Sequence, residues 1–301
     1  MEAKTHDDAL TEFVKARPRL FGIAYRILGS AAEAEDIVQD AWLRWQAVDP
    51  KTVLDPSAFL ATTTTRLAIN VAQSARSRHE TYIGPWLPEP VDTSTDSQLG
   101  AERGQALEFA VLLLLEKLSP AERAAYVLRE AFDYPYRQIA DILQLEEANT
   151  RQLVVRARQH IADGRRTPVS SLEQRRLLDA FIGAARTGDL AALEGLFASD
   201  VVSYSDGGGV VRTAARAPVC GSVRVAKFIA AFASHFWSGV TLRFVDTNGQ
   251  TSVLILRNGE PVGLVAIDAS VQGINQIMWM LRPSKLTVIA KSHETRVQDD
   301  F

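Results

Sequence analysis

Up to about residue 170 the apolar residues of this 301-residue chain have helical spacing alone, whereas beyond it helical and strand-like spacing both occur, and this change limits the possible folds. Up to that point they recur every three or four residues, as in the segment 31–46, which predicts amphipathic helices. Near the C-terminus, four apolar runs are separated by Asn-Gly or Gln-Gly pairs, and Asn-Gly is typical of β-hairpin turns. The chain is therefore predicted to have an all-helical first half, followed by an α+β domain with helices on one face of an antiparallel sheet.

The predicted helices of the first half follow from this spacing and from their capping residues. Ser119-Pro120-Ala121-Glu122 has the pattern of a capping box, with Ser as N-cap and Pro at the first helical position. The last two helices are short and joined by three residues, which is the spacing of a helix-turn-helix. The predicted ranges are Ala31 to Gln46, Ser57 to Arg78, Glu102 to Lys117, Tyr136 to Leu143 and Glu147 to Ala162.

The second half is predicted to combine three helices with four strands. The helices are expected at Leu172 to Arg186, Asp189 to Phe197 and Ser222 to Phe236. The strands are expected at Thr241 to Val245, Ser252 to Leu256, Val262 to Ile267 and Ile274 to Leu281.

Two segments rich in turn-forming residues divide the chain. Residues 81–102 are rich in Pro, Gly, Ser, Thr and Asp, and residues 164–171 form a second boundary. We therefore expect domains at 1–80, 103–165 and 170–290, a linker at 81–102 and a tail at 291–301. Within the linker, the apolar pair Trp86-Leu87 is flanked by prolines and is expected to pack against another surface, because its exposure to water is unfavourable.

Composition excludes several classes of protein. A hydrophobic content of 47% excludes a wholly disordered chain, and a net charge of −3 excludes a globally basic nucleic-acid-binding protein. Residues 57–79 nevertheless contain arginines and no acid, and residues 148–166 contain five arginines and one acid. No apolar run approaches the ~20 residues of a membrane span, and the acidic start does not resemble a signal peptide.

The histidines and the cysteine of the chain indicate no catalytic or metal site. The five histidines lack metal-ligand spacing, so no metal or cofactor is expected. The single cysteine, Cys220, suits a reducing cytoplasm and is expected to be a small buried side chain.

The second helix of the predicted helix-turn-helix carries residues that could read DNA. Arg pairs with guanine and Asn or Gln with adenine in the major groove, each pair giving ~1–3 kcal/mol of discrimination. A solvated face of a helical bundle explains the same residues. The candidates are Asn149, Arg151, Gln152, Arg156 and Arg158.

A polar patch is expected on the helix at 31–46. Asp36, Gln39 and Asp40 lie opposite its apolar stripe, where they could bind a partner. An ordinary amphipathic helix has the same pattern, so the residues alone do not separate the two interpretations.

The order of these motifs resembles a known family. Residues 25–45, with Glu35-Asp36-Ile37-Val38-Gln39-Asp40-Ala41-Trp42, closely resemble the second conserved region of bacterial extracytoplasmic-function (ECF) sigma factors. Leu118 to Arg123, Ile139 to Leu143 and Arg151 to Arg158 resemble the fourth region. The linker motif Trp86-Leu87-Pro88-Glu89-Pro90 and the C-terminal domain are similar to the SigJ-type subgroup, which carries a SnoaL-like domain, a cone of helices and curved sheet.

The resemblance implies a role for each candidate surface. Asp36, Gln39 and Asp40 would bind core RNA polymerase, and the segment from Trp45 to Asp55 would capture an unstacked base of the melted strand. The −10 element would be bound by Arg66, Asn70, Arg76 and Arg78. The −35 element would be bound by Asn149, Arg151, Gln152, Arg156 and Arg158.

Two motifs of the subgroup imply contacts between the C-terminal domain and the sigma core or its linker, and hence regulation in cis. The first is Asp206-Gly207-Gly208-Gly209, where Val210 replaces the usual Lys; the glycines also suit a plain hairpin turn. The second is Arg282-Pro283-Ser284-Lys285-Leu286, which departs from the usual Asn-Pro-Asp-Lys-Leu at two positions. The implied regulatory residues are Trp86, Pro88, Asp206, Gly207, Gly208, Gly209, Arg282, Pro283, Lys285 and Leu286.

We therefore expect a cytoplasmic, non-enzymatic sigma factor that directs core RNA polymerase to promoter DNA and contacts no membrane. One alternative is a bifunctional protein whose C-terminal domain binds or turns over a small molecule, with Tyr204, Asp206, His235 and Asp246 as candidate polar groups. Structural or surface roles explain these four groups better than an acid–base pair does. A dimeric helix-turn-helix repressor is disfavoured, because it leaves the first 80 residues unexplained.

Overall fold

The computed structural model describes residues 2–49, 52–80, 82–94, 107–287 and 289, with the side chains of residues 2–8 and 75–80 outside this description. The chain divides into two compact units. Unit 1 consists of Met1–Glu80 and Asp96–Gly164, and unit 2 consists of Thr81–Thr95 and Arg165–Phe301.

All regular secondary structure in the described parts of unit 1 is helical. Its helices are α1 (Glu2–Leu28), α2 (Ala31–Gln46), α3 (Pro56–Glu80), α4 (Phe109–Leu115), α5 (Pro120–Glu130), α6 (Tyr136–Leu143) and α7 (Glu147–Gly164). The helix expected at Glu102 to Lys117 begins at Phe109 within the described residues, and its predicted start lies outside them.

Local capping explains where several of these helices begin and end. Ser30 caps α2 by accepting a hydrogen bond from the Glu33 amide. The capping box of α5 is present in full, because Ser119 and Glu122 each accept from the other's backbone amide. Helix α6 ends at Gln144, whose left-handed conformation (φ 57°) starts the short turn into α7.

Unit 2 has helices packed against one curved sheet. In chain order its elements are α8 (Ser171–Thr187), α9 (Leu190–Leu196), β1 (Phe197–Asp206), β2 (Val219–Cys220), α10 (Ser222–Phe236), β3 (Val240–Thr247), β4 (Gln250–Arg257), β5 (Glu260–Ser270) and β6 (Gly273–Met280). The strand order is β2-β1-β6-β5-β4-β3. Strand β1 is parallel to β6, and every other neighbouring pair is antiparallel.

The core of unit 2 lies between the helices and the sheet. Buried side chains of α8 and α10, such as Phe181 and Ile229, pack against inward-facing residues of the strands, such as Ile277. Alternate residues of the strands, such as Val253 and Ile255 of β4, belong to this core, so one face of the sheet lies toward the helices, which is the α+β arrangement expected from the sequence. The four predicted strands correspond to β3, β4, β5 and β6.

The sequence prediction missed the first two strands, and its expectation for Cys220 was wrong. Strand β1 starts at Phe197, where the predicted helix was to end, and its parallel partner β6 is distant in sequence, so no hairpin turn signals it. Cys220 pairs with Val202 in the two-residue strand β2 at the edge of the sheet, and its side chain is exposed.

Candidate promoter-binding surfaces and linker-docking site

The polar patch of α2 is accessible. Ile37 and Val38 are buried against the rest of unit 1, whereas Asp36, Gln39 and Asp40 are exposed on the opposite side of the helix. Two carboxylates and one amide within about one helical turn can accept and donate hydrogen bonds to a partner protein.

The loop after α2 does not present Trp45 to solvent. Trp45 is buried, and its indole N–H donates to the Ala9 carbonyl at 3.0 Å. The exposed positions of the segment include Leu54, whose side chain is fully accessible. Residues 50 and 51 lie outside the described residues. Any base captured here must therefore stack on residues other than Trp45.

Helix α3 presents Arg66 and Asn70 on an exposed face. Arg66 binds the C-terminal end of α6, since its Nε donates to the Ile142 carbonyl at 2.9 Å and its Nη2 to the Asp141 carbonyl at 3.0 Å. The side chains of Arg76 and Arg78 lie outside the described residues. Arg66, one candidate residue for the −10 element, is thus hydrogen-bonded to the helix-turn-helix.

A buried arginine also joins the two helical parts of unit 1. Arg123 of α5 is only 6% exposed and donates through Nη1 to the Ile27 carbonyl of α1 at 2.7 Å and to Glu116 at 2.5 Å. Nearby, Arg19 of α1 donates to the Phe132 carbonyl at 3.1 Å. Together with the hydrogen bonds of Arg66, these contacts hold α1 and α3 against α5 and α6 in one compact unit.

Helix α7, the second helix of the helix-turn-helix, has a buried and an exposed face. Leu153, Val154 and Ala157 are buried. All five candidate residues for the −35 element are exposed on the other face: Asn149, Arg151, Gln152, Arg156 and Arg158. This arrangement leaves their polar groups accessible to a DNA groove.

The three arginines of this face each have a carboxylate partner. Arg151 pairs with Glu147 at 2.5 Å, and Arg158 pairs with Glu130 at 2.7 Å. Arg156 pairs with Glu122 at 3.0 Å. Although burial acts to raise the pKa of Glu122, hydrogen bonds from Ser119 together with Arg156 hold it below its ordinary value. Exposed pairs of this kind contribute about 0–1 kcal/mol each, so DNA phosphates can replace them.

Asp206, at the end of β1, is the centre of a buried site that holds the linker. Its carboxylate accepts hydrogen bonds from the Tyr82 hydroxyl at 2.5 Å, the Leu87 amide at 2.9 Å and the Lys285 ammonium at 2.8 Å. Lys285 also donates to the Leu87 carbonyl. Asp206 and Leu87 are fully buried and Lys285 is 4% exposed. Lys285 therefore balances the buried charge of Asp206, and the hydrogen-bonding groups of the site pair with one another instead of with water.

Aromatic side chains of the linker cover this ion pair. The Lys285 ammonium lies 4.4 Å from the centroid of the Trp86 ring, and the Arg282 guanidinium lies 5.6 Å from that of Tyr82. Burial lowers the pKa of Lys285. Burial, followed by the hydrogen bond to Asp206, raises the pKa of Tyr82, so this phenol remains a donor at neutral pH.

The glycines after Asp206 let the linker approach closely. Gly208 and Gly209 have φ of +57° and +75°, a region that side chains disfavour. A Cβ on Gly208 would lie 3.0 Å from the Tyr82 hydroxyl oxygen, and one on Gly209 would lie 3.0 Å from Ile83 Cδ1. Gly207 instead packs within unit 2, where a Cβ would lie 2.5 Å from Ala214 Cβ.

The second half of the linker binds the turn between β3 and β4. The Asn248 side-chain oxygen accepts a hydrogen bond from the Val91 backbone amide, and the Asn248 backbone amide donates one to the Val91 carbonyl. Both hydrogen bonds are 3.0 Å long. Thr93 donates its amide to the Asp246 carbonyl at 3.1 Å. We call residues 82–94 in this arrangement the docked linker.

The structure thus brings most of the implied regulatory residues together. Pro88 and Leu286 are buried, Trp86 is half-buried, and Pro283 is exposed at the edge of a cavity in unit 2. The sequence prediction missed Tyr82 and Asn248. Tyr82 belongs to no recognisable motif, and Asn248 has the pattern of an ordinary Asn-Gly turn.

The cavity of unit 2 has a volume of about 370 Å³ and lies between α10 and the sheet. His235 lines it, whereas Asp206 faces the docked linker and Asp246 is exposed and accepts a hydrogen bond from Thr251 at 3.3 Å. Tyr204 lies on β1, and burial raises the pKa of its phenol. These four residues do not assemble as an acid–base pair.

Metal-binding clusters and membrane-spanning helices are absent from the described residues. These residues contain no group of three or more His, Cys, Asp and Glu side chains positioned to hold a metal ion. None of their helices combines the length and apolarity required to cross a membrane.

Comparisons with known proteins agree with the geometry of unit 1. Residues 13–78 match the family model Sigma-70 region 2, and residues 108–161 match Sigma-70, region 4. The two helical parts of unit 1 are therefore those of a sigma-70 factor.

Longer matches extend into unit 2. The ECF RNA polymerase sigma factor SigJ of Mycobacterium tuberculosis is 38% identical over 240 residues, which are 77% of this chain and 75% of that protein. The probable ECF RNA polymerase sigma factor SigI of the same species is 32% identical over 288 residues, 93% of this chain and 96% of that protein. The crystal structure of SigJ matches with a TM-score of 0.74 and 29% identity, covering 93% of this chain and 98% of that one.

The chain therefore belongs to the ECF RNA polymerase sigma factors. Such proteins are non-enzymatic transcription initiation factors that direct RNA polymerase to promoters. The six-stranded sheet of unit 2 fits the SnoaL-like domain expected from the sequence.

Proposed function

We propose that this sigma factor binds core RNA polymerase through the exposed face of α2, the −10 element through α3 and the −35 element through α7, and that unit 2 restrains it in cis through the docked linker. The observation that carries the regulatory part is the buried hydrogen-bond site at Asp206, which holds the linker between the two sigma regions. Its cytoplasmic location follows from its partner, since bacterial RNA polymerase works there.

The α2 surface is suited to a protein partner. Its three polar groups are exposed on the side of the helix opposite the buried residues Ile37 and Val38. The double substitution Asp36→Ala with Gln39→Ala should weaken binding to core RNA polymerase in a competition assay. Glu12→Ala, which removes an exposed carboxylate of α1, is the matched control. Equal binding by both variants would contradict this assignment.

Promoter binding requires unit 1 to open. As their names state, the −10 and −35 elements are centred about 25 base pairs apart, which is about 85 Å of B-form DNA at 3.4 Å per step. Direct hydrogen bonds such as that from Arg66 to α6 place the two sigma regions in contact. One rigid unit packed in this way cannot reach both elements, so the compact state is that of the chain without promoter DNA.

The docked linker restricts this opening. Residues 81–108 connect α3 to α4 and, when extended at about 3.3 Å per residue, could span about 92 Å. Docking holds thirteen of these residues, 82–94, on unit 2. Release of the linker therefore provides the length needed to reach both promoter elements, and docking lowers activity.

Transcription by the full-length chain tests this regulation. Lys285→Met and Tyr82→Phe weaken the docking site, and we expect both to raise transcription from a cognate promoter by reconstituted holoenzyme. Lys227→Met, on the exposed face of α10, is the control for loss of a lysine. Unchanged or lower transcription by both docking variants, with core binding intact, would refute inhibition by the docked linker.

We also propose that the cavity of unit 2 binds a small molecule. Its aromatic lining and the absence of an assembled acid–base pair in its described walls favour binding over turnover. The charged groups at those walls determine which class of ligand fits.

A further inference from the structure

The cavity of unit 2 has an aromatic lining. Its volume of about 370 Å³ falls within the ~300–1,000 Å³ range of small-molecule sites. Five rings face it: Phe228, Phe232, Phe236, Trp237 and Trp279. Phe236 packs edge to face against Trp279, with ring centroids 5.7 Å apart. The walls can therefore contact a ligand through both ring faces and ring edges.

The described walls of the cavity carry a positive charge, that of Arg257, and no negative one. Arg257 and His235 line the cavity, and its described lining contains no carboxylate. Arg257 donates through Nη2 to the Phe236 carbonyl at 2.8 Å, which holds the guanidinium beside the aromatic rings. A guanidinium held in this way can bind a carboxylate or another anion with charge-assisted hydrogen bonds.

We infer that the cavity binds a planar aromatic molecule with one anionic group, and that this binding strengthens docking of the linker. The second part rests on the linker docking proposed above as the regulatory contact, whereas the first part does not. The ligand would then be a corepressor of the sigma factor.

The cavity and the docking site share two segments of the chain. At the end of β1, Ser205 lines the cavity and the adjacent Asp206 holds the linker, because successive side chains of a strand point to opposite faces. After β6, Leu281 and Pro283 line the cavity, while Arg282 between them donates to Tyr82 of the linker at 3.3 Å.

The backbone ties these two segments together. The amides of Leu281 and Arg282 both donate to the Asp206 carbonyl, at 2.9 and 3.0 Å. A movement of either segment therefore changes a cavity wall and a docking contact at once. Because undocking would displace these walls, we expect a ligand to bind the docked form more tightly, and a ligand that prefers one form shifts the equilibrium toward it.

The experiment uses 2-naphthoate as an aromatic anion and 2-naphthamide as its uncharged analogue, with the full-length chain. Calorimetry measures binding, and hydrogen exchange of the Leu87 amide measures docking, since that amide donates to Asp206. We expect 2-naphthoate to bind with a dissociation constant below about 1 mM, and 2-naphthamide roughly tenfold more weakly. Arg257→Met should remove this difference.

Coupling between the sites is reciprocal, which gives a second measurement. Saturating 2-naphthoate should slow Leu87 exchange by about fivefold or more, and Tyr82→Phe, which weakens docking from the linker side, should weaken 2-naphthoate binding. Val262→Phe should fill the cavity and abolish binding. Val271→Phe makes the same change at a side chain that is 90% exposed, and should bind normally.

Each failure has a separate meaning. No saturable binding of 2-naphthoate, or equal binding by the Val262→Phe variant, overturns the ligand site. Binding without any change in Leu87 exchange overturns the coupling but leaves the site. If the docking variants do not alter transcription without ligand, the proposed regulation is overturned. The ligand site and its effect on docking are then still tested by calorimetry and hydrogen exchange.

Discussion

Replacing Asp206 by Asn keeps the shape of the side chain but removes the charge that balances Lys285. Breaking a buried ion pair by removing one partner costs about 3–5 kcal/mol, because the remaining charge stays buried without compensation. Undocking of the linker exposes Lys285 to water and relieves this penalty, since Leu87, Trp86 and Tyr82 of the linker all lie against its ammonium group. The substitution should therefore favour undocking by up to the same amount.

Hydrogen exchange measures the effect directly. At 1.4 kcal/mol for each factor of ten, the Leu87 amide should exchange roughly a hundred- to several-thousand-fold faster in Asp206→Asn than in the unsubstituted chain. The Gly221 amide, which donates to the Val201 carbonyl at 2.8 Å within unit 2, reports whether unit 2 stays folded. Its exchange should change far less.

Two further variants complete the test. Asp200→Asn makes the same chemical change on β1, but its carboxylate is 64% exposed and pairs with Arg166, so Leu87 exchange should stay unchanged. The double variant Asp206→Asn with Lys285→Met removes both charges and should exchange more slowly than Asp206→Asn alone. Unchanged Leu87 protection in Asp206→Asn, with Gly221 protected, would refute the view that the ion pair holds the linker.

Three other predictions concern unit 1. Arg156→Ala should weaken promoter binding by holoenzyme. It should also reduce the slope of log K against log salt concentration by about 0.9, because the variant neutralises one phosphate fewer. An unchanged slope in a polymerase–promoter titration would rule out the phosphate role. Arg66→Ala should destabilise the full chain by about 1 kcal/mol in urea unfolding, because it removes two hydrogen bonds to α6, and equal midpoints would exclude this role. Because the pKa of Glu122 lies below 4.5 in the folded chain, its stabilising effect is present above pH 4.5 and is lost as the pH falls through the folded pKa. The stability difference between the unsubstituted chain and Glu122→Gln should shrink over that acid range, and a pH-independent difference would show that the carboxylate does not contribute.

The helices could be predicted well because their signals are local. The predicted limits of α2, α6 and α10 agree with the structure, since capping residues and apolar spacing act within one or two turns. The three hairpins from β3 to β6 were equally clear, because short turns with a residue or glycine at positive φ join strands that pair directly.

Predictions failed where the outcome depended on distant residues. Strand β1 was missed because its pairing with β6 brings together segments about 75 residues apart, and Cys220 is exposed because β2 forms the edge of the sheet. The candidate DNA-binding arginines were chosen from their spacing, but no local pattern could indicate that Arg66 binds the end of α6.

The sequence by itself determined the helical character of the first half, the capping of its helices, the hairpins of the second half and the resemblance to sigma factors. Only the tertiary structure decided that Asp206 meets Tyr82 and Leu87, which lie 124 and 119 residues earlier, and Lys285, which lies 79 residues later. The physical reason is that helices and turns depend on interactions between near neighbours. A buried carboxylate with several donors, in contrast, is stable only where the whole fold removes water from all of them together.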